Sequence, residues 1–302
     1  NMDNKRRNFI RGMALAPLLL GTRNIMAGNY SEPLANNRLQ YSVNAFSFNS
    51  ALRSGEMTFY DMMEFAANIG LDAVDLTGYY FSSYPDPPSN SELFGLKRKA
   101  LELGLNIAWT GVRNNFVNPD AVARKVDSAM IREWLGVSSS LGATIMRVFT
   151  GKYNDDGFSK KEVKEWLIDE YKICAKYGAE KGVIVGLQNH NEFLFTSEEI
   201  IDIIERVNSE WFGLILDIGS LHAENPYDEI EKLAPYANYW FIKEHIFPSG
   251  IKTPVDMEKI AAIIKNQGYR GYISFESLSD GDPKQIITSM FSSFKTEYEK
   301  LK

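Results

Sequence analysis

From residue 39 onward the chain alternates two textures. Short runs dense in Val, Ile, Phe, Tyr and Trp are each followed by a longer segment in which apolar residues recur every three to four positions. The runs are "YSVNAFSF", "LDAVDLTGYYF", "LNIAWTGV", "ATIMRVFTG", "VIVGLQNH", "FGLILDIGS", "YWFIKEHI" and "GYISFESL". The first texture predicts buried strands and the second amphipathic helices. Several helical segments end in Gly just before the next strand, at Gly70, Gly104, Gly142 and Gly268. Gly there supplies the left-handed turn that closes a helix. Eight strand-helix units over about 260 residues predict an α/β fold, a single (β/α)8 TIM barrel with a parallel eight-stranded sheet, over residues 39–302. A doubly wound open sheet is the rival. Such sheets usually carry a Gly-rich phosphate turn, and neither G-x-G-x-x-G nor G-x-x-x-x-G-K-[ST] occurs, so no nucleotide cofactor is expected.

The N-terminal text differs. "KRRNFIRGMALAPLLLGTRNIMAGN" opens with basic residues, continues with an apolar stretch too short to span a bilayer, and ends with small residues at Ala27 and Gly28. Arg6 and Arg7 with Phe9 resemble a twin-arginine export signal. Residues 1–28 are therefore expected to be an export segment and the protein to be periplasmic, with no stable membrane anchor. The alternative is the basic arm of a cytoplasmic protein.

The 302 residues carry a net charge of -6 and a pI near 5.3. After the N-terminal segment no run of basic residues is longer than Lys97–Lys99, which argues against a nucleic-acid partner, because phosphate backbones are bound through larger Lys/Arg clusters. The single Cys174 excludes an intrachain disulfide and reads as a core thiol. Oligomeric state is not encoded in any of these features.

In a barrel of this kind, chemistry lies at the carboxyl ends of the strands. Those ends bring Ser47 with Asn49, Asp75, Arg113 with Asn114 and Asn115, Arg147, Gln188 with His190, Asp217, Lys243 with Glu244 and His245, and Glu276. Strand alternation puts Gln188 and His190 on one face of their strand, as it does Phe241, Lys243 and His245 on theirs, so that each set can point toward the barrel axis. Any one of them alone reads as a solvated strand end or a partnered core polar group. So many together predict a shared polar site.

These segments, with "ENPYDEIEKLAPY" after the sixth run, resemble the xylose isomerase-like TIM-barrel superfamily, specifically its sugar phosphate isomerase/epimerase group. The resemblance implies a small-molecule carbohydrate at the mouth, usually around a divalent metal held by Glu, Asp, His and Glu on strands five to eight. Carried over, the strand-six Asp is Asp217 and the strand-eight Glu is Glu276. The strand-five Glu falls on Gln188 and the strand-seven His on Phe241; Ser220 stands where relatives often have His or Asn. The metal set is thus Asp217, Glu276 and Gln188, a weak or absent site. Mn2+ or Mg2+ would suit it better than Zn2+, since Gln offers a hard cation only a neutral oxygen. Lys243 suggests another solution: an ammonium beside two carboxylates that stabilises an enolate without metal. Metal-binding relatives also carry Lys here, so a structural ion pair is the competing reading. The abasic-site endonucleases that share this barrel use a His-rich zinc cluster, which His190, His222 and His245 cannot supply.

The resulting expectation is a sugar isomerase/epimerase-like enzyme that abstracts a proton beside a carbonyl of a free or oxidised sugar. Glu276 is the candidate base, Lys243 the enolate partner and His190 the acid. Arg147, Asn115, Gln188 and His245 are candidate substrate-binding groups, and Trp109, Phe241 and Tyr79 candidate stacking faces. Alternatives are a β-eliminating lyase or hydratase on a keto-sugar, and a non-catalytic sugar-binding barrel. "SSYPDPPSNS", residues 82–91, is either a lid or a long connection.

Overall fold

The computed structural model describes residues 39–154 and 157–301. Residues 1–28, expected to be an export segment, lie outside the described residues. Each of the eight apolar runs forms a barrel strand: β1 (Gln40–Asn44), β2 (Ala73–Thr77), β3 (Asn106–Gly111), β4 (Ile145–Val148), β5 (Ile184–Gln188), β6 (Phe212–Asp217), β7 (Ala237–Lys243) and, after the two short strands β8 (His245–Ile246) and β9 (Thr253–Pro254), β10 (Tyr272–Glu276). Seven strands pair in parallel with their sequence neighbours and β10 closes onto β1, giving the closed order β1-β10-β7-β6-β5-β4-β3-β2. The (β/α)8 barrel is therefore the fold, and the open-sheet rival is excluded by the β1–β10 pairing.

The helices are α1 (Asn49–Ser54), α2 (Phe59–Asn68), α3 (Asn90–Glu102), α4 (Ala121–Leu141), α5 (Lys160–Lys181), α6 (Ser197–Val207), α7 (Pro226–Leu233), α8 (Met257–Asn266) and α9 (Pro283–Lys300). Local sequence sets their ends. Thr58 with Asp61 and Ser159 with Glu162 form reciprocal capping boxes at α2 and α5. Gly70, Gly104, Gly142 and Gly268 all have φ between +64° and +85°, the left-handed turn expected of them. Cys174 faces the core from α5, and burial pushes its thiol far above the usual range. No helix among the described residues is long and apolar enough to cross a membrane.

Two cores result. The larger lies between barrel and helices; the smaller fills the barrel itself with Ala73, Ala108, Trp109, Ile145, Ile215, Tyr239 and Phe241. Because inward-facing residues recur every second position, these floor residues identify the layer above them. The last inward residues of the eight strands are Asn44, Thr77, Gly111, Arg147, Gln188, Asp217, Lys243 and Glu276. A polar ring thus crowns an apolar plug. Asp75 belongs to the plug rather than to the ring: it is wholly buried and accepts hydrogen bonds from Ser42 Oγ (2.6 Å), Tyr239 OH (2.6 Å) and Ser274 Oγ. Desolvation outweighs those three donors and raises its carboxyl to about 7.

The 82–91 segment is tied at two points, to α4 and to the loop after β3. Trp134 Nε1 donates to Pro85 O (2.7 Å), and the Tyr84 hydroxyl accepts from Arg113 N (3.1 Å).

Candidate active site

The centre of the polar ring is an ion cluster from three adjacent strands. Lys243 Nζ lies 3.3 Å from Asp217 Oδ2 and in direct contact with Glu276 Oε2. Lys243 is 7% exposed, Asp217 0% and Glu276 4%. The cluster is held from every side. Gln188 Nε2 donates to Asp217 Oδ2 (2.7 Å), and Gly219 N donates to Asp217 Oδ1 (3.0 Å). Asn189 clamps the Asp217 backbone, accepting its N–H (2.7 Å) and donating to its C=O (2.9 Å). Gly219 leaves room for the lysine stem: a Cβ there would stand 2.7 Å from Lys243 Cγ. Burial pulls the Lys243 ammonium below its usual range, and the adjacent Asp217 opposes that pull.

This arrangement tests the metal expectation. Asp217 already receives an amide, a backbone N–H and an ammonium, and Lys243 takes the space between the two carboxylates that a cation would need. Gln188 turns its nitrogen to Asp217, leaving one neutral oxygen, Oε1, without a partner among the described residues. Phe241 presents no donor. No group of three His, Cys, Asp or Glu among the described residues is spaced to hold a metal. One free amide oxygen does not replace a missing anion for a hard cation, so the donor set does not suit Mg2+ or Mn2+.

Beside the cluster opens a cavity of about 370 Å3, lined by Asp217 and Lys243 and also by His190, His222, His245, Ser220, Glu244, Phe247 and Lys252. The three histidines of the chain thus share one cavity. His222 stacks on Phe247 (5.0 Å between centroids) and receives Asn191 Nδ2 at Nε2 (3.0 Å). Glu192, absent from the sequence expectations, lies between two basic groups: it accepts from Arg113 Nη2 (2.9 Å), and its Oε2 is 3.5 Å from His190 Nδ1, an ion-pair distance rather than a formed hydrogen bond. The His190 imidazole foremost, with Arg113, holds the Glu192 carboxyl below its usual range despite burial. The signal was the H-x-E spacing at 190–192, which only a turn brings together. Glu244 orders the loop after β10 by accepting from Leu278 N (2.7 Å) and Ser279 N (3.1 Å).

Other expected groups lie elsewhere. Trp109 and Phe241 are fully buried in the barrel plug, 5.4 Å apart, so packing occupies the faces expected to stack on a sugar. Asn115 is exposed on the loop after β3, where its N–H donates to Asp127 (2.6 Å). Its neighbour Asn114 is buried and clamps the Phe149 backbone, donating to its C=O (2.7 Å) and accepting its N–H (2.8 Å). Asn49 is tied to Arg53 and Tyr80, and Ser47 accepts from Ser277 N. Arg147 is in the ring, buried among aromatic rings.

Solved structures share this architecture. The chain aligns with a D-psicose 3-epimerase of Clostridium cellulolyticum H10 in complex with D-tagatose (TM-score 0.71, 15% identity, 86% of this chain and 99% of that one). It aligns likewise with a 3-keto-D-glucoside 4-epimerase of E. coli (0.69, 14%, 86% and 100%) and a probable 3-DHS dehydratase of Bacillus anthracis (0.67, 17%, 85% and 99%). At these identities the likeness is one of fold. No curated protein sequence matches the chain. The model of the xylose isomerase-like TIM barrel family matches residues 63–296, most of the chain, and the protein belongs to that family.

Proposed function

We propose that the protein is a sugar-modifying enzyme that abstracts a proton beside a carbonyl, with Lys243 doing the electrostatic work that a divalent metal does in relatives. The observation that carries this reading is the buried Lys243 ammonium in contact with Glu276 and Asp217 at the mouth of the barrel. Glu276 takes the proton from the carbon next to the carbonyl. The electron pair of the broken C–H bond moves onto the carbonyl oxygen, and Lys243, steadied by Asp217, stabilises the resulting enolate. A fixed ammonium in a desolvated site is well suited to a developing oxyanion. His190, oriented by Glu192 and facing the same cavity, returns a proton to carbon from another direction or to a departing oxygen. The first outcome is isomerisation or epimerisation. The second is β-elimination, which an arrangement with Glu276 as its one carboxylate base also supports, since Gln188 cannot act as a second base. The epimerases and the dehydratase among the structural neighbours are in keeping with both outcomes. An exported location, if residues 1–28 act as a signal, favours free or oxidised sugars over sugar phosphates.

The test is exchange in deuterated water. Wild type with a panel of ketoses and 3-keto-sugars should incorporate deuterium at the carbon beside the carbonyl, seen by NMR, with or without chelator. Glu276→Gln should abolish incorporation while retaining sugar affinity. Exchange that persists in Glu276→Gln removes Glu276 as the base. Binding without exchange by wild type across the panel leaves the sugar-binding barrel as the better reading.

A further inference from the structure

The charges of β6, β7 and β10 neutralise one another, but the last inward residue of β4 has no such partner. Arg147 is 2% exposed, and its Nε and Nη2 have no hydrogen-bond partner among the described residues. Its guanidinium stands 4.3 Å from the Phe149 ring centroid, 5.0 Å from Trp109 and 5.6 Å from Tyr79. These rings occupy its faces and leave one buried edge without a partner. Nε–H and Nη2–H run parallel along one edge of the guanidinium, and that edge matches the two oxygens of a planar carboxylate. Gly111, the strand partner of Arg147, lets the arginine take this place: a Cβ on that glycine would lie 2.8 Å from Arg147 Cβ and 3.1 Å from Nε. In the closed strand order β4 lies four places from β10, on the opposite wall from Glu276.

We infer that the substrate carries a carboxylate, as in a uronic or aldonic acid, and that Arg147 holds it side-on while the far end of the sugar meets Lys243 and Glu276. This rests on the carbohydrate reading above and narrows it. The count of charges favours carboxylate over phosphate. One guanidinium edge offers two donors and one positive charge to a planar monoanion, whereas the other cation of the ring, Lys243, is already shared by two carboxylates. A phosphate dianion would find no second free cation among the ring residues.

The experiment is calorimetric titration of the full chain with D-glucuronate and D-galacturonate, each against its neutral hexose and the hexose 6-phosphate. Wild type, Arg147→Lys and Arg147→Met are compared, with circular dichroism as the check on folding. Arg147→Lys keeps a positive charge in case the methionine variant does not fold. The uronate should bind wild type at least about tenfold more tightly than the hexose, the scale of a charge-assisted pair. That preference should shrink in Arg147→Lys and vanish in Arg147→Met. Equal affinity for acid and neutral sugar, or a preference unchanged by both substitutions, overturns the inference and leaves the carbohydrate pocket standing. Tighter binding of the 6-phosphate than of the uronate overturns it in favour of phosphate. Failure of folded wild type to bind any of these sugars overturns it together with the carbohydrate reading.

Discussion

Asp75→Asn should remove a specific part of the pH dependence of stability. In the folded chain this carboxyl is wholly buried and titrates at about 7, against 3.8 for a solvated aspartate. The folded state therefore binds its proton more strongly than the unfolded state between these values. Stability from this group is fully present below the unfolded value and declines as pH rises through the folded one. A three-unit difference corresponds to roughly 4 kcal/mol, of which roughly 2.5 kcal/mol falls between about pH 5 and about pH 8. Asn cannot ionise, and its NH2 would face Ser274, whose hydroxyl can rotate to accept. The substitution adds an offset that does not vary with pH, and the other carboxylates cancel when the two proteins are compared. Urea unfolding of both at the two pH values should show wild type losing roughly 2.5 kcal/mol more than Asp75→Asn, a difference of about 5 °C in melting temperature for a chain of this size. Parallel pH profiles would refute the reasoning, because they would mean that Asp75 ionises as if in water.

Glu276→Gln should lower turnover by about 10²–10⁴-fold, the usual range for a lost general base, with KM changed little. Lys243→Met should cost roughly 3–5 kcal/mol in urea unfolding, since it strands two buried carboxylates; unchanged stability would mean that one of them is protonated in the folded protein. Saturating Mn2+ should leave the wild-type melting temperature unchanged, and a clear upward shift would show that the two carboxylates release Lys243 to bind a cation. Glu192→Gln should reduce kcat with substrate affinity retained, as expected if Glu192 acts only by orienting His190; an unchanged kcat would assign it a purely structural tie to Arg113.

The strand-helix alternation carried the barrel into the sequence because burial on both faces of a parallel strand demands an apolar run, and each run became a strand. Period-two alternation then placed Gln188, Asp217, Lys243 and Glu276 together in the ring. The same rule did not locate depth. Asp75 and Glu276 both close an apolar run, yet Asp75 sits one layer lower, because β2 continues to Thr77 before it ends. Trp109 and Phe241 are legible as aromatic but not as plug, since only the closed barrel decides which rings fill its axis. Glu192 was hidden for another reason: the turn after β5 brings it back toward His190, and turns carry no periodicity. Asn114 and Asn189 look like loop amides in the sequence, whereas each acts as a surrogate peptide group that extends a strand ladder beyond its end.

The ammonium lodged between Asp217 and Glu276 also constrains the mutational routes open to the chain. Gln188→Glu alone sets a second carboxylate against Asp217 where an amide now donates at 2.7 Å. Phe241→His alone puts a polar imidazole in place of an apolar phenyl in the plug beside Trp109. Each change is adverse while Lys243 stays in place, and losing Lys243 first leaves two buried anions facing each other. A metal centre would reward these substitutions only in combination. Any route from this ring to a metal centre therefore passes through changes that are adverse one at a time.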